Sequence, residues 1–208
     1  NTQPPPPPDT VNPFPPIVIG PLDGPDQPPD PQIPRNNCDR ANVDKDLAYF
    51  GSLLDSNDQN LKTDFSLLSS IRDDLRNSDP DLSSAIGEDA GHFGLLVNAI
   101  TNGTGTGGKN PSTVGSNINS DIGALGTNFL PGDKLGTDVK GFWNVTNAVD
   151  KNADAANNFF QNTDIGVCDN LSPKEDKQWE DLKKRWSREQ KLMIPLFNQI
   201  HVPHDIGT

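Results

Sequence analysis

The sequence predicts an all-α protein: an elongated bundle of four or five helices with one long N-terminal helix, a single disulfide and an extended Pro-rich N-terminal arm. Three observations lead to this fold class. The first is a leucine every seven residues, at Leu47, Leu54, Leu61, Leu68 and Leu75. The others are 14 of the 20 prolines within the first 35 residues, and only two cysteines, Cys38 and Cys168.

Residues 1–35 are predicted to form an arm outside the packed core, because so many prolines exclude regular helix and sheet. The run Pro4 to Pro8 is predicted to adopt polyproline II. An apolar segment follows it and is suited to a partner's groove or sheet edge. This segment comprises Phe14, Pro15, Pro16, Ile17, Val18 and Ile19. Composition alone also fits a disordered linker.

The leucine heptads predict a first helix over residues 39–78, more than 50 Å long by the ~1.5 Å rise per residue. Between Ser52 and Asp79 neither Pro nor Gly interrupts it. Asn57 and Asp64 fall on its apolar stripe. We interpret them as register-setting or solvated positions.

The second helix is predicted to start with Asp79 as N-cap and Pro80 as the first helical residue. It is predicted to end at Asn102, before Gly103. Beside its apolar stripe runs a row of small residues, namely Ser84, Gly87, Gly91 and Gly94. The row indicates close backbone packing or a narrow groove for an apolar ligand.

After a predicted loop over residues 102–116, a short third helix is predicted from Ile118 to Phe129, and Pro131 ends it. A fourth helix is predicted from Leu135 to Phe160. At ~1.5 Å per residue, the first and third helices together rise about as far along the bundle as the second and fourth together descend. Cys168 therefore returns to the level of Cys38, within the ~5.5 Å Cα separation of a disulfide.

The fifth helix has the clearest start in the chain, a capping box in which Ser172 precedes Pro173 and Glu175. It is predicted to break near Pro195. We therefore divide the chain into an arm over 1–35, a helical bundle over 36–195 and an extended tail over 196–208. The tail holds a second apolar docking segment, with Leu196, Phe197, Ile200 and Val202.

The chain is predicted to be secreted, either extracellular or at the cell surface. It starts at Asn1 without an initiator methionine, as after removal of a signal peptide. A disulfide and three N-glycosylation sequons agree with this location. The sequon residues are Asn102, Asn144 and Asn170, and Asn144 is the best placed because it lies opposite the apolar stripe of its helix.

The net charge of −12 disfavours nucleic acid and anionic membranes as partners, since both attract basic surfaces. No apolar run approaches the ~20 residues that span a bilayer. Basic residues do gather in the fifth helix, where we expect them to meet acidic residues of the same fold or of another copy. They are Lys183, Lys184, Arg185, Arg188 and Lys191.

No motif predicts an enzyme, a cofactor or a metal centre. Residues 103–109 match the start of a phosphate-binding loop, but Asn110 replaces the magnesium-binding Ser or Thr and Pro111 follows it. His201 and His204 lack a third ligand of clear spacing. A cysteine nucleophile is excluded if both cysteines are bridged.

The function that these features predict is that of an extracellular structural or interaction glycoprotein. Apolar, Pro-punctuated ends on a rigid helical body predict head-to-tail self-assembly into a fibre or surface layer. The expected partners are other copies of the chain, together with N-linked glycans. The alternative is a secreted helical carrier of a lipid or other apolar ligand, held in the small-residue groove.

Overall fold

The computed structural model describes residues 38–204, and within them the chain forms five α-helices and no strand. Their bounds are α1 Arg40–Leu75, α2 Pro80–Asn102, α3 Pro111–Gly123, α4 Lys134–Asn162 and α5 Pro173–Asn198, with a 3₁₀ turn at Ile165–Val167 before α5. The predicted all-α class and the Cys38–Cys168 disulfide are confirmed. The arm with its apolar segment and residues 205–208 lie outside the described residues.

The longest helix, α1, has 36 residues and so measures about 54 Å. Helices α4 and α2 pack along α1, α5 closes against α1 and α2, and α3 packs on α2 and α5. All five leucines of the heptad pattern are buried, at 3% exposure or less. Burying one leucine side chain stabilises a fold by roughly 1.5–3 kcal/mol, so this stripe is a major source of stability.

An aromatic cluster joins α1, α4 and α5 at the centre of the core. The ring of Phe50 lies 5.0 Å from Phe159, 6.1 Å from Trp179 and 6.3 Å from Trp186, measured between centroids. Trp179 is 5% exposed and Trp186 1%. Both tryptophans are therefore core anchors, and each adds aromatic contacts to the burial of its area.

The third helix differs from the prediction at both ends. It begins at Pro111, within the predicted loop, because the Asn110 side chain caps it by accepting a hydrogen bond from the Thr113 N–H at 3.1 Å. Pro111 takes the first helical position, where no N–H is needed. The helix ends at Gly123 and leaves Phe129 in the connection to α4.

The predicted break at Pro195 and the extended tail directly after it are wrong. Helix α5 continues through Pro195 to Asn198. The side chains predicted as a second docking segment lie in the chain's own core, with Leu196, Phe197 and Ile200 at 0%, 4% and 3% exposure and Val202 partly buried against them. The proline removes one helix hydrogen bond, but the burial of these apolar side chains outweighs that loss.

Candidate functional site

The residues that follow the arm are held to the start of α5. Cys38 and Cys168 are bonded, with Cα atoms 5.7 Å apart. The Asn170 side chain donates to the Cys38 carbonyl at 3.1 Å, and the Arg40 guanidinium donates to the Asn170 carbonyl at 3.2 Å. Arg40 also pairs with Glu175. We call this junction the arm root, and it fixes the point at which the arm joins the bundle.

Glu175 links the arm root to the first turn of α5. Its carboxylate accepts from the Ser172 N–H at 2.9 Å, and the Ser172 hydroxyl accepts from the Glu175 N–H at 3.2 Å. The capping box predicted from the sequence is therefore confirmed. Glu175 is only 4% exposed, but the Arg40 side chain is 53% exposed, so water still screens part of their attraction.

A groove of about 350 Å³ runs along the N-terminal half of α5. Its wall is mainly apolar, because lysine and arginine stems line it with methylene groups while their charged ends remain in water. The lining residues are Lys174, Lys177, Gln178, Asp181, Leu182 and Arg185. On the α1 side Leu182 meets Gly51, where a side chain would start 3.7 Å from the Leu182 methyl group. We call this feature the α5 groove.

Basic groups outnumber acidic ones around the α5 groove, by three to one among its lining residues. Asp181 is paired with Lys177 at 2.9 Å. Arg185 reaches Asp55 at 2.7 Å and Asp58 at 2.8 Å on α1, so this member of the basic cluster meets acidic residues of its own fold, as expected. Among the described residues Lys174 is thus the one basic lining residue without an ion pair, and it is the unpaired charge at the groove.

A buried carboxyl pair joins α1 and α5 below the α5 groove. Glu189 is 0% exposed, and no donor within the described residues reaches either of its oxygens. Burial raises the pKa of Glu189 to about 10, and the neighbouring Asp58 acts in the same direction, whereas the charges of Arg185 and Arg188 oppose the shift. An ionised Glu189 would repel the Asp58 carboxylate in this dry site, so the protonated form of Glu189 is favoured.

A second buried carboxyl pair joins α2 and α3. Asp89 is 5% exposed, and one of its oxygens is buried without a donor in the described part of the chain. Burial raises the pKa of Asp89 to about 9, and a side-chain hydrogen bond with Asp121 raises it further. The charge of Glu88 acts in the same direction.

A third carboxyl pair joins α1 and α4 and is bridged by a lysine. The Lys134 ammonium lies 3.1 Å from Asp74 and 2.7 Å from Asp138. Burial and the hydrogen bond with Asp138 raise the pKa of Asp74 to about 6, although Lys134 opposes the shift. The bridging cation therefore compensates this pair in part.

The two polar residues on the α1 stripe are both buried, so their interpretation as solvated positions is wrong. Asp64 is 0% exposed and accepts a hydrogen bond from the Thr146 hydroxyl at 3.0 Å. Burial raises the pKa of Asp64 well above its usual value. Asn57 donates to the Val149 carbonyl at 3.2 Å. Both contacts join α1 to α4 at defined heights, which agrees with a register-setting role.

The three sequons occupy different environments. Asn102, at the end of α2, and Asn170, in the arm root, are exposed. Asn144 is half-buried within α4, and Thr146 of the same sequon is 0% exposed. Asn102 and Asn170 are therefore more exposed than Asn144, which the sequence ranked first.

The small residues of α2 allow close packing at one position. A Cβ atom at Gly94 would lie 2.6 Å from the ring of Phe65 on α1, so that ring fills the space a ligand would need there. Gly91 is exposed, with no atom within 4 Å of a Cβ at its position. The row therefore serves the contact of α2 with α1 at Gly94 and faces solvent at Gly91.

Grouped metal ligands and membrane-spanning helices are both missing from the part of the chain that the structure describes. Between residues 38 and 204, no three His, Cys, Asp or Glu side chains group as metal ligands. None of the helices over the same range combines the length and apolar character needed to cross a bilayer. Large exposed apolar side chains among these residues are scattered, at Leu95, Leu130 and Val167. Comparison with protein-family models, curated proteins and solved structures finds no match.

Sequence reasoning missed the buried carboxyl pairs, although a signal for them exists. Glu189 lies three residues after Trp186 and four before Met193, on the apolar stripe of α5. Asp89 lies three residues after Ile86 and four before Phe93 on α2. An acid at a stripe position of an amphipathic helix indicates a buried, protonated or paired carboxyl.

Proposed function

We propose that this chain is an elongated extracellular structural or interaction glycoprotein that self-assembles head-to-tail, by placing the arm of one copy on the α5 groove of the next. The observation that carries the proposal is the arm root. A disulfide and three polar contacts anchor the base of the arm to α5, so force on the arm passes into the folded body.

The arm and the α5 groove are complementary in charge and character. Residues 1–35 contain four aspartates and one arginine. Among the described residues Lys174 offers the groove's unpaired positive charge, and Lys177 and Arg185 could exchange their present acidic partners for those of the arm. The apolar arm segment around Phe14 and Ile17 matches the apolar wall over Leu182. A Pro-rich segment also loses little conformational entropy on binding, because proline restricts the free chain.

Each copy has one arm and one α5 groove. A contact between the arm of one copy and the groove of the next joins two different surfaces and is therefore heterologous. Such a contact repeats without closing unless the rotation between copies happens to form a ring, so it generates filaments. Because Leu196 and its neighbours are buried in the core, they cannot bind a second copy. The arm is therefore the one segment proposed to dock on the groove. The disulfide is compatible with an oxidising, extracellular compartment, where the exposed sequons at Asn102 and Asn170 support a glycoprotein.

Isotope-mixed cross-linking tests the proposal. Equal amounts of ¹⁴N- and ¹⁵N-labelled full chain are mixed and treated with a carbodiimide, which joins carboxyl and amine groups in contact. We expect mixed-isotope peptides that join arm aspartates to Lys174 or Lys177. Links found only within single-isotope peptides would overturn assembly, because they would show that the arm folds back on its own bundle.

Variants and a deletion complete the test. Light scattering of the full chain should show species larger than one copy, and deletion of residues 1–34 should reduce them to single molecules. The double change Lys174→Glu and Lys177→Glu should have the same effect. Its matched control, Lys45→Glu with Lys151→Glu, changes exposed lysines of α1 and α4 and should leave the size unchanged. Unchanged size after the deletion would refute the proposal.

A further inference from the structure

Helix α3 and the C-terminal half of α5 form one layer of the fold, which we call the α3–α5 layer. The two helices meet where Gly115 lies against the backbone of Leu196. The layer rests on α1 and α2. Two carboxyl pairs lie across this boundary: Glu189 of α5 with Asp58 of α1, and Asp121 of α3 with Asp89 of α2.

We propose that protons shared within these two pairs hold the α3–α5 layer on the bundle, and that loss of the protons releases it. Release would uncover the apolar side chains that α5 and the following residues keep in the core, namely Leu196, Phe197, Ile200 and Val202. The inference concerns how the fold opens and is independent of assembly through the arm.

The surroundings of Glu189 compensate its charge only in part: the charges of Arg185 and Arg188 lower its pKa, but burial and Asp58 raise it by more. On α1, Asp55 and Asp58 both face Arg185, which pairs with them at 2.7 and 2.8 Å. On α5 itself, Arg188 donates to the Ile100 carbonyl at the end of α2 at 2.8 Å. Both guanidinium groups therefore have other partners, and neither donates to a Glu189 oxygen. An ionised Glu189 would face the Asp58 carboxylate in a dry interior.

Asp89 has no better compensation. The charges that act on it are Asp121 of α3 and Glu88 of α2, and both are negative. His92, one turn further along α2, is half-buried. If Asp89 and Asp121 both ionised, two carboxylates would repel each other across the α2–α3 contact, with water excluded from one oxygen of Asp89.

The direction of the pH dependence follows from these shifts. In the folded state the pKa of Glu189 is about 10 and that of Asp89 about 9, whereas unfolded glutamate and aspartate titrate near ~4. The closed form therefore holds protons that an open form loses above about pH 4. For each such proton the equilibrium constant for opening rises about tenfold per pH unit, up to the pKa of the closed form. The layer is held most firmly in acid and released in alkali.

Hydrogen exchange of the full chain, read by mass spectrometry from pH 5 to pH 10 and corrected for intrinsic exchange, tests the inference. Peptides of α3 and of the end of α5 should lose protection at lower pH than peptides of α1 and α4. The double variant Asp89→Asn with Glu189→Gln, which replaces each shared proton with an amide hydrogen, should keep that protection. The control Asp44→Asn, at an exposed site on α1, should follow the parent chain.

Two results would overturn the inference. One is an identical exchange profile for the parent chain and the double variant. The other is loss of protection at the same pH in α1, α3, α4 and α5. If the double variant fails to fold, carboxyl ¹³C NMR of the parent chain replaces it. Titration of Glu189 and Asp89 near pH 4 would exclude shared protons. Titration well above pH 7 would support them.

Discussion

Gly115 of α3 lies against the backbone carbonyl of Leu196 in α5, and no side chain fits between the two helices at this point. A Cβ atom on Gly115 would overlap that carbonyl and approach the Gln199 Cβ to 3.1 Å. A backbone carbonyl cannot turn aside as a flexible side chain can. The glycine therefore sets how closely α3 and α5 approach.

Gly115→Ala should lower the free energy of unfolding by about 2–3 kcal/mol, because the added methyl group separates α3 from α5. Urea denaturation checks this value. The matched control is Gly91→Ala, also inside a helix but with no atom within 4 Å of the new methyl group. There we expect a gain of up to ~1 kcal/mol from better helix propensity. Equal losses in both variants would contradict the close approach.

Removal of the disulfide should destabilise the bundle strongly. The Cys38–Cys168 bond closes a loop with a sequence separation of 130 residues, and the chain-entropy estimate for loops of this length is about 4–5 kcal/mol. Cys38→Ser combined with Cys168→Ser should lose most of that amount in urea denaturation. Adding a reducing agent to the parent chain should reproduce the loss, whereas the double variant should not respond to it.

The hydrogen bond between Thr146 and Asp64 can be tested by changing only the donor. Thr146→Val, produced in bacteria, leaves Asp64 buried without that donor and should cost about 1–3 kcal/mol of stability. It should also raise the pKa of Asp64 further, because the hydroxyl is the contact that lowers it. Thr146→Ser keeps the hydroxyl and should lose less. Unchanged stability in Thr146→Val would contradict a contribution from the hydrogen bond, because valine keeps the volume of threonine and lacks only the donor.

The Asp74 pair adds a separate pH-dependent step at the α1–α4 contact. Its pKa of about 6 exceeds the usual value of 3.8, so the folded state binds a proton that the unfolded chain has already lost between these values. The stabilisation is complete below about pH 4 and is lost as the pH rises through 6.

Asp74→Asn should therefore flatten the pH profile of the thermal midpoint between pH 4 and pH 6. Lys134→Met should extend the slope to higher pH, because the ammonium group holds the pKa of Asp74 down. A slope in Asp74→Asn equal to that of the parent chain would assign this pH dependence to other carboxyls. The exposed-site variant Asp44→Asn serves as the control.

Local chemistry made several parts of the fold predictable. The heptad leucines and the Asp79–Pro80 start gave α1 and α2 nearly at their observed bounds, and the capping box at Ser172 gave the start of α5. Each of these signals acts within one or two turns. The summed lengths of the rising and descending helices then placed Cys168 at the level of Cys38 and so predicted the disulfide. This prediction depends on helix lengths more than on side-chain detail.

Features that depend on tertiary packing could not be predicted in the same way. Pro111 falls in a predicted loop and Pro195 at a predicted helix break, yet an N-cap before Pro111 and core burial beyond Pro195 favour helix at both positions. The buried carboxyl pairs form between different helices, so the sequence around one carboxyl does not indicate which residue it meets. The predicted boundary of the arm at residue 35 lies outside the described residues and remains a prediction.

The disulfide at the arm root has a consequence for resistance to proteolysis. A single cut in the glycine-rich connection at residues 103–110 would divide the backbone between α2 and α3. Because the Cys38–Cys168 bridge encloses that cut, both fragments would stay covalently joined. If the proposed docking of residues 1–35 occurs, a molecule cut between α2 and α3 would stay attached to its neighbour until the disulfide is also reduced.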